Sequence, residues 1–133
     1  MHRSPQPVIH HVDIAVADFE RSREFYRRAL EPLGLGLVME FRRDDGTTLA
    51  GFGSPPDPEF WIRSGRPVAE WLHVAFRAGT REAVDAFHRA ALAAGGTDNG
   101  APGERPRYAE HYYAAYVLDP DGHNVEAVCR RPA

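Results

Sequence analysis

A chain of 133 residues and 14.8 kDa with 43% apolar residues has the size and composition of one domain built on a single core. Its net charge of -3, with arginines interspersed among acids, argues against nucleic acid or a membrane surface as partner, and no apolar run approaches the roughly 20 residues of a membrane span. The opening MHRSPQPV lacks the apolar stretch of a signal peptide and the single Cys129 permits no internal disulfide, so a soluble cytoplasmic protein is expected, with Cys129 a small buried hydrophobe.

The first element reads IHHVDIAV. Val12, Ile14 and Val16 alternate, which predicts a strand with these three on its apolar face; His11 falls on the opposite face, while His10 shares theirs and turns toward the first helix. From Phe19 the period changes. Phe19, Ser22, Phe25, Tyr26, Ala29, Leu30 and Leu33 recur every three or four residues, predicting an amphipathic helix with Asp18 as N-cap and Gly34 at its C-terminal end. LGLVMEFRR, TTLAGFG and EFWIR then read as strands divided by the turn signals DDG and PPDP.

The scheme begins again at LHVAF, where Leu72, Val74 and Phe76 alternate and His73 opposes them, followed by a helix from Thr80 toward Gly96. GGTDNGAPGERPRYAE is rich in Gly and Pro and reads as a mobile loop with one short strand, expected to order when a ligand binds. YAAYVL and HNVEAV flank Asp119-Pro120-Asp121-Gly122, which suits a type I turn and predicts an antiparallel hairpin.

The two halves are a duplication. Sliding the chain by 62 positions sets His11–Gly34 against His73–Gly96, and eight of the 24 aligned pairs are identical, among them His11/His73, Phe25/Phe87, Ala29/Ala91 and Gly34/Gly96. Two halves so related place His11 and His73 at equivalent points. In the last strand Val125, Ala127 and Cys129 share one face and Glu126 projects from the other, where a buried carboxylate requires a partner. Two histidines and one carboxylate form a set that holds a divalent ion with positions left open, although a strand histidine taken singly is more often structural.

HHVDIAVADFERSREFYRRALEPLG, LHVAFRAGTREAVDAFHRAALAAGG and YVLDPDGHNVEAV together resemble the vicinal-oxygen-chelate superfamily, which holds glyoxalase I, bleomycin-resistance proteins, fosfomycin-resistance enzymes, methylmalonyl-CoA epimerase and extradiol dioxygenases. The resemblance implies one α+β domain over 1–133, with module 1 about 7–66 and module 2 about 70–130. Its two βαβββ modules would form a curved, cup-shaped mixed sheet with helices outside and one divalent ion (Fe, Mn, Ni or Zn) within. The family's metal ligands fall on His11, His73 and Glu126. Glyoxalase I has a fourth, a Glu in the last strand of module 1; here Phe60 or Trp61 stands at that point, and Glu59 is one residue out of phase.

The three that remain are those of the extradiol dioxygenases. Tyr116, Asp119, Pro120 and Gly122 match part of that group's pattern, which implies His111 and Tyr116 as acid/base groups; His111-Tyr112-Tyr113 reads equally as the start of a strand. The resemblance thus implies a metal-dependent lyase, isomerase or dioxygenase acting on a small molecule with adjacent oxygens, or else a metal-free drug-binding protein of the bleomycin-resistance kind. In either case Trp61, Trp71, Tyr112 and Tyr116 are expected to line the cup and Arg107 to meet an anionic ligand. Open sheet edges, and the pairing common in the superfamily, make a homodimer the expected assembly.

Overall fold

The computed structural model describes residues 8–133; residues 1–7, most of the opening MHRSPQPV, lie outside the described part. The two modules are β1 (Val12–Val16), α1 (Phe19–Leu30), β2 (Gly36–Arg42), β3 (Thr48–Ser54) and β4 (Asp57–Ser64), then β5 (His73–Arg77), α2 (Arg81–Ala93), β6 (Thr97–Glu104), β7 (Tyr113–Leu118) and β8 (Asn124–Cys129). Both helices start at the residues their sequences indicate. The Asp18 carboxylate accepts a hydrogen bond from Arg21 N at 3.1 Å, and Thr80 Oγ1 accepts one from Ala83 N at 3.0 Å, each satisfying an N–H that the helix itself leaves unpaired.

Each module folds its strands in the same order. The sheets run β1-β4-β3-β2 and β5-β8-β7-β6, with β1/β4 and β5/β8 parallel and the remaining pairs antiparallel. Ile14, Val16, Phe52, Phe60 and Ile62 pack under Phe25, Tyr26, Ala29 and Leu30 of α1, while Val84, Phe87 and Ala91 of α2 belong to the same core as Val117, Val125, Ala127 and Cys129. The α+β class and the duplicated βαβββ plan are therefore as the sequence indicates, and Cys129 is buried.

The two helices also pack on each other, and the Phe60 and Phe76 rings meet edge to face at 5.2 Å, so a single apolar core joins the modules. Each sheet uses one face for this core. Its other face stays open, and the two sheets share no strand ladder. No helix among the described residues is long and apolar enough to cross a membrane.

The Gly/Pro-rich segment holds the one strand expected of it, Thr97–Glu104, longer than expected at eight residues and paired with β7. It lies at the edge of its sheet, where Pro102 costs little, and two register shifts absorb its glycines. Gly100 is required there, since a Cβ would lie 2.8 Å from Tyr116 Cδ2. Gly96 is similarly constrained, with an added Cβ 2.5 Å from Val117 Cγ1 and 2.9 Å from the Ala91 carbonyl oxygen. Gly96→Ala is expected to lower stability by about 1–3 kcal/mol through overpacking, measured as a shift in the urea midpoint; an unchanged midpoint would show that α2 slides freely on its sheet.

Candidate functional site

The open face of the second sheet carries the densest polar arrangement. In the register of β5, β8 and β7, Ala75 pairs with Glu126, which pairs in turn with Tyr116, and His73 pairs with Asn124. Alternation sends Val125, Ala127 and Cys129 into the core and Glu126 outward, yet Glu126 is only 2% exposed because neighbouring side chains cover it. Its Oε1 lies 2.8 Å from His73 Nε2, and its Oε2 accepts a hydrogen bond from the Tyr112 hydroxyl at 2.5 Å.

Burial, reinforced by the bond to Glu126, pushes the Tyr112 hydroxyl well above the usual phenol range. Tyr116 is raised by burial and then by the Glu126 charge. Both phenols are protonated at neutral pH, and Tyr112 is the one that donates to this carboxylate. Trp71 stands edge-on to His73 at 5.3 Å, Tyr108 meets Tyr112 at 5.3 Å, and the Arg105 guanidinium lies 5.5 Å from the Tyr116 ring centre.

The open face of the first sheet is organised differently. Asp13 pairs with Trp61, whose ring meets Phe41 at 5.9 Å, and His10, His11, Asp13, Phe41, Arg43 and Trp61 border a hollow of about 320 Å³. Both histidines are exposed, with Nδ1 atoms 3.0 Å apart. His10 is therefore not packed against α1 as strand alternation suggests; β1 begins only at Val12, and before that point no ladder fixes which way a side chain turns. A bulge between β3 and β4 leaves Glu59 exposed at a second hollow with Val12, Phe60 and Val74, which His10 also borders, whereas His11 and Trp61 line the first.

His73, Glu126, Tyr112, Tyr116 and Trp71 are thus gathered on one sheet, whereas His11 and Trp61 lie on the other. Arg107 is stacked over Tyr108 at 5.6 Å, on the rim of the second site. His111 occupies an exposed turn with φ of 58°, its Nε2 3.3 Å from Glu110 Oε1. Of this HYY stretch it is Tyr112 that reaches Glu126, a contact that local periodicity does not disclose because Tyr112 precedes β7.

A further group was legible in the sequence only as a turn. Asp119, Asp121 and His123 have ligand atoms within 4.8 Å of one another, the spacing of a metal site. Asp119 Oδ1 accepts bonds from the backbone N–H groups of Asp121 and His123 at 2.9 and 2.8 Å, and Oδ2 accepts one from the Tyr26 hydroxyl at 2.5 Å. Burial and the adjoining carboxylate push the Tyr26 hydroxyl far up. These bonds pin the β7–β8 turn to α1, with Arg21 adding a bond to the Pro120 carbonyl at 3.1 Å.

A duplicated βαβββ chain with a histidine/carboxylate pair on an open sheet face defines a class, and the comparison of families agrees: residues 8–127 match the Glyoxalase/Bleomycin resistance protein/Dioxygenase superfamily, to which the chain belongs. Among solved structures it is similar to a glyoxalase/bleomycin resistance protein from Albidiferax ferrireducens T118, with 32% identity over 95% of this chain and 100% of that one and a TM-score of 0.75. It is also similar to an E144Q mutant of glyoxalase I from Zea mays, with 26% identity and a TM-score of 0.70, over 90% of this chain but 46% of the maize chain. A glyoxalase/bleomycin resistance protein/dioxygenase family enzyme from Burkholderia phytofirmans PsJN, at 20% identity, 92% and 98% coverage and a TM-score of 0.68, shows likeness of fold alone.

Proposed function

We propose that the protein is a divalent-metal-dependent enzyme acting on a small molecule with adjacent oxygens, and that its centre forms between two subunits of a homodimer. The observation that carries this reading is the buried Glu126 carboxylate with its Oε1 2.8 Å from His73 Nε2, on a face open to a second molecule. Two ligand atoms so close suit adjacent positions on one ion, and the imidazole/carboxylate set fits Fe, Mn, Ni or Zn. His11 is the third ligand. Because it lies on the other sheet, it completes the set only when the first sheet of one subunit meets the second sheet of its partner.

A divalent ion held there supplies Lewis acidity to the substrate oxygens. The chain's own residues do the rest. Tyr112 fixes the Glu126 carboxylate through Oε2, and Tyr116, a protonated phenol beside the same carboxylate, moves a proton to or from the substrate; His111 is the second acid/base candidate, from the exposed rim. Trp71 and Tyr112 flank the bound molecule on one side and Trp61 on the other, while Arg107 meets an anionic group.

Metal-free binding is the second reading, favoured by one observation: Glu126 is already satisfied by His73 and Tyr112. Mixing subunits decides between them. His11→Ala and Glu126→Ala proteins should each lose the ion, but unfolded and refolded together they should regain about a quarter of the wild-type metal content, since half the dimers then hold one intact site of two. No recovery from a wild-type protein that binds metal would place the site within one chain. A monomeric wild type with less than about one-tenth of an ion per chain would favour the binder.

A further inference from the structure

We infer that Arg105 and Arg130, with Arg77 beside them, form a seat for an oxyanion, the carboxylate or phosphate group of the small molecule that binds at the second sheet. For that molecule's place at Glu126 the inference rests on the metal-dependent reading above. The anion seat itself stands on its own residues.

Strand register brings the three arginines to one end of the sheet. Arg105 N donates to the Tyr112 carbonyl at 2.7 Å, and Tyr112 lies one step beyond the Tyr113/Cys129 pair, so Arg105 and Arg130 flank it where the ladder ends. Arg77 pairs with Val128, Val128 with Ala114 and Ala114 with Gly103. This row of mostly small side chains separates Arg105 and Arg130 from the row of Ala75, Glu126 and Tyr116, on the side away from His73. Arg77 and Arg130 also border one hollow of about 330 Å³, together with Arg131.

Contacts place two of these guanidinium groups beside the candidate centre. Arg105 Cζ lies 5.5 Å from the Tyr116 ring centre, and Arg130 Cζ lies 5.7 Å from that of Tyr112, the phenol that donates to Glu126. Backbone carbonyls hold the same groups, with Arg105 Nη2 donating to Ala101 O at 2.8 Å and Arg130 Nη2 to Glu110 O at 3.4 Å. Gly103 leaves room for the first, since a Cβ there would come within 3.0 Å of Arg105 Nη1. Elsewhere in the chain Arg23, Arg27, Arg63 and Arg81 pair with Glu40, Glu24, Asp13 and Glu104. Among the described residues, Arg77, Arg105 and Arg130 make no ion pair with an acid. A chain of net charge -3 thus gathers uncompensated positive charge at this one place. Ring stacking and carbonyl bonds orient the groups without neutralising them, and their remaining N–H donors match the paired oxygens of a carboxylate or phosphate.

The test follows the arginine Nε–Hε resonances of the nitrogen-15-labelled, metal-free protein at constant ionic strength, with inorganic phosphate added in one arm and succinate in the other. The expected result is a saturable shift at Arg105 and Arg130 in at least one arm, which identifies the anion, and an affinity lower by about 10-fold or more in Arg105→Gln and in Arg130→Gln. Arg28→Gln, a change on α1, should bind like wild type. Melting curves report whether each variant is folded, and the wild-type resonances decide where one is not. Shifts that rise without saturation at all arginines alike, or folded Arg105→Gln and Arg130→Gln proteins that bind as wild type does, would overturn the inference. Zn2+ titration of the same wild type separates this result from the proposed function. Saturable anion binding without ion binding would sustain the seat and overturn the metal centre, whereas ion binding without saturable anion binding would do the reverse.

Discussion

Glu126→Ala is expected to abolish divalent-ion binding at micromolar concentrations, a loss well beyond the 10- to 100-fold that outer-shell changes produce. In the proposed set with His11 and His73 the carboxylate is the only anionic ligand, and its Oε1 stands 2.8 Å from His73 Nε2. Truncation also strands the Tyr112 hydroxyl, which now donates to Oε2 at 2.5 Å. Glu126→Gln separates the two effects. The amide preserves the shape and an acceptor for Tyr112, so the fold should be retained, but it removes the charge, and affinity should still fall by more than about 100-fold. Isothermal titration beside thermal melting reads both consequences. Wild-type affinity in the Gln variant would remove Glu126 from the ligand set.

The largest effect on stability is expected at Asp119. Its side chain is fully buried and accepts bonds from the Tyr26 hydroxyl and from the N–H groups of Asp121 and His123. Asp119→Ala leaves two buried donors and one part-buried donor without an acceptor, and at about 1–3 kcal/mol each, short of additive, the cost should be about 3–5 kcal/mol. In a chain of this length that lowers the melting temperature on the order of 10–20 °C. Tyr26→Phe removes one donor rather than the shared acceptor and should cost about 1–3 kcal/mol. A melting curve unchanged in Asp119→Ala would show that the β7–β8 turn is held by its own backbone. The same protein, assayed for metal, tests the Asp119/Asp121/His123 group: a loss of bound ion from this variant with Glu126 intact would assign an ion to that turn.

Local patterns determined much of this protein. The switch from alternation to a three-to-four residue period locates β1/α1 and β5/α2, and Asp18 and Thr80 mark both helix starts because a side-chain oxygen is needed there to meet free N–H groups. Alternation in β8 places Glu126 opposite Val125 and Ala127, and in β5 it places His73 opposite Val74 and Phe76. These features follow from backbone geometry acting over a few residues.

Other features arise from groups far apart in the chain. β6 is a strand despite its glycines and prolines because β7 offers a ladder to pair with, and tertiary pairing outweighs propensity. His10 escapes alternation because β1 starts two residues later, and Tyr112 rather than His111 reaches Glu126 because the turn before β7 sets its direction. The separation of His11 from His73 and Glu126 is likewise tertiary. Whether duplicated modules join by their open faces or by their helices is decided by where apolar surfaces meet, and here Phe60 and Phe76 meet in a core shared with Phe25 and Phe87 of the two packed helices, which leaves the faces carrying His11 and Glu126 on the far sides of their sheets.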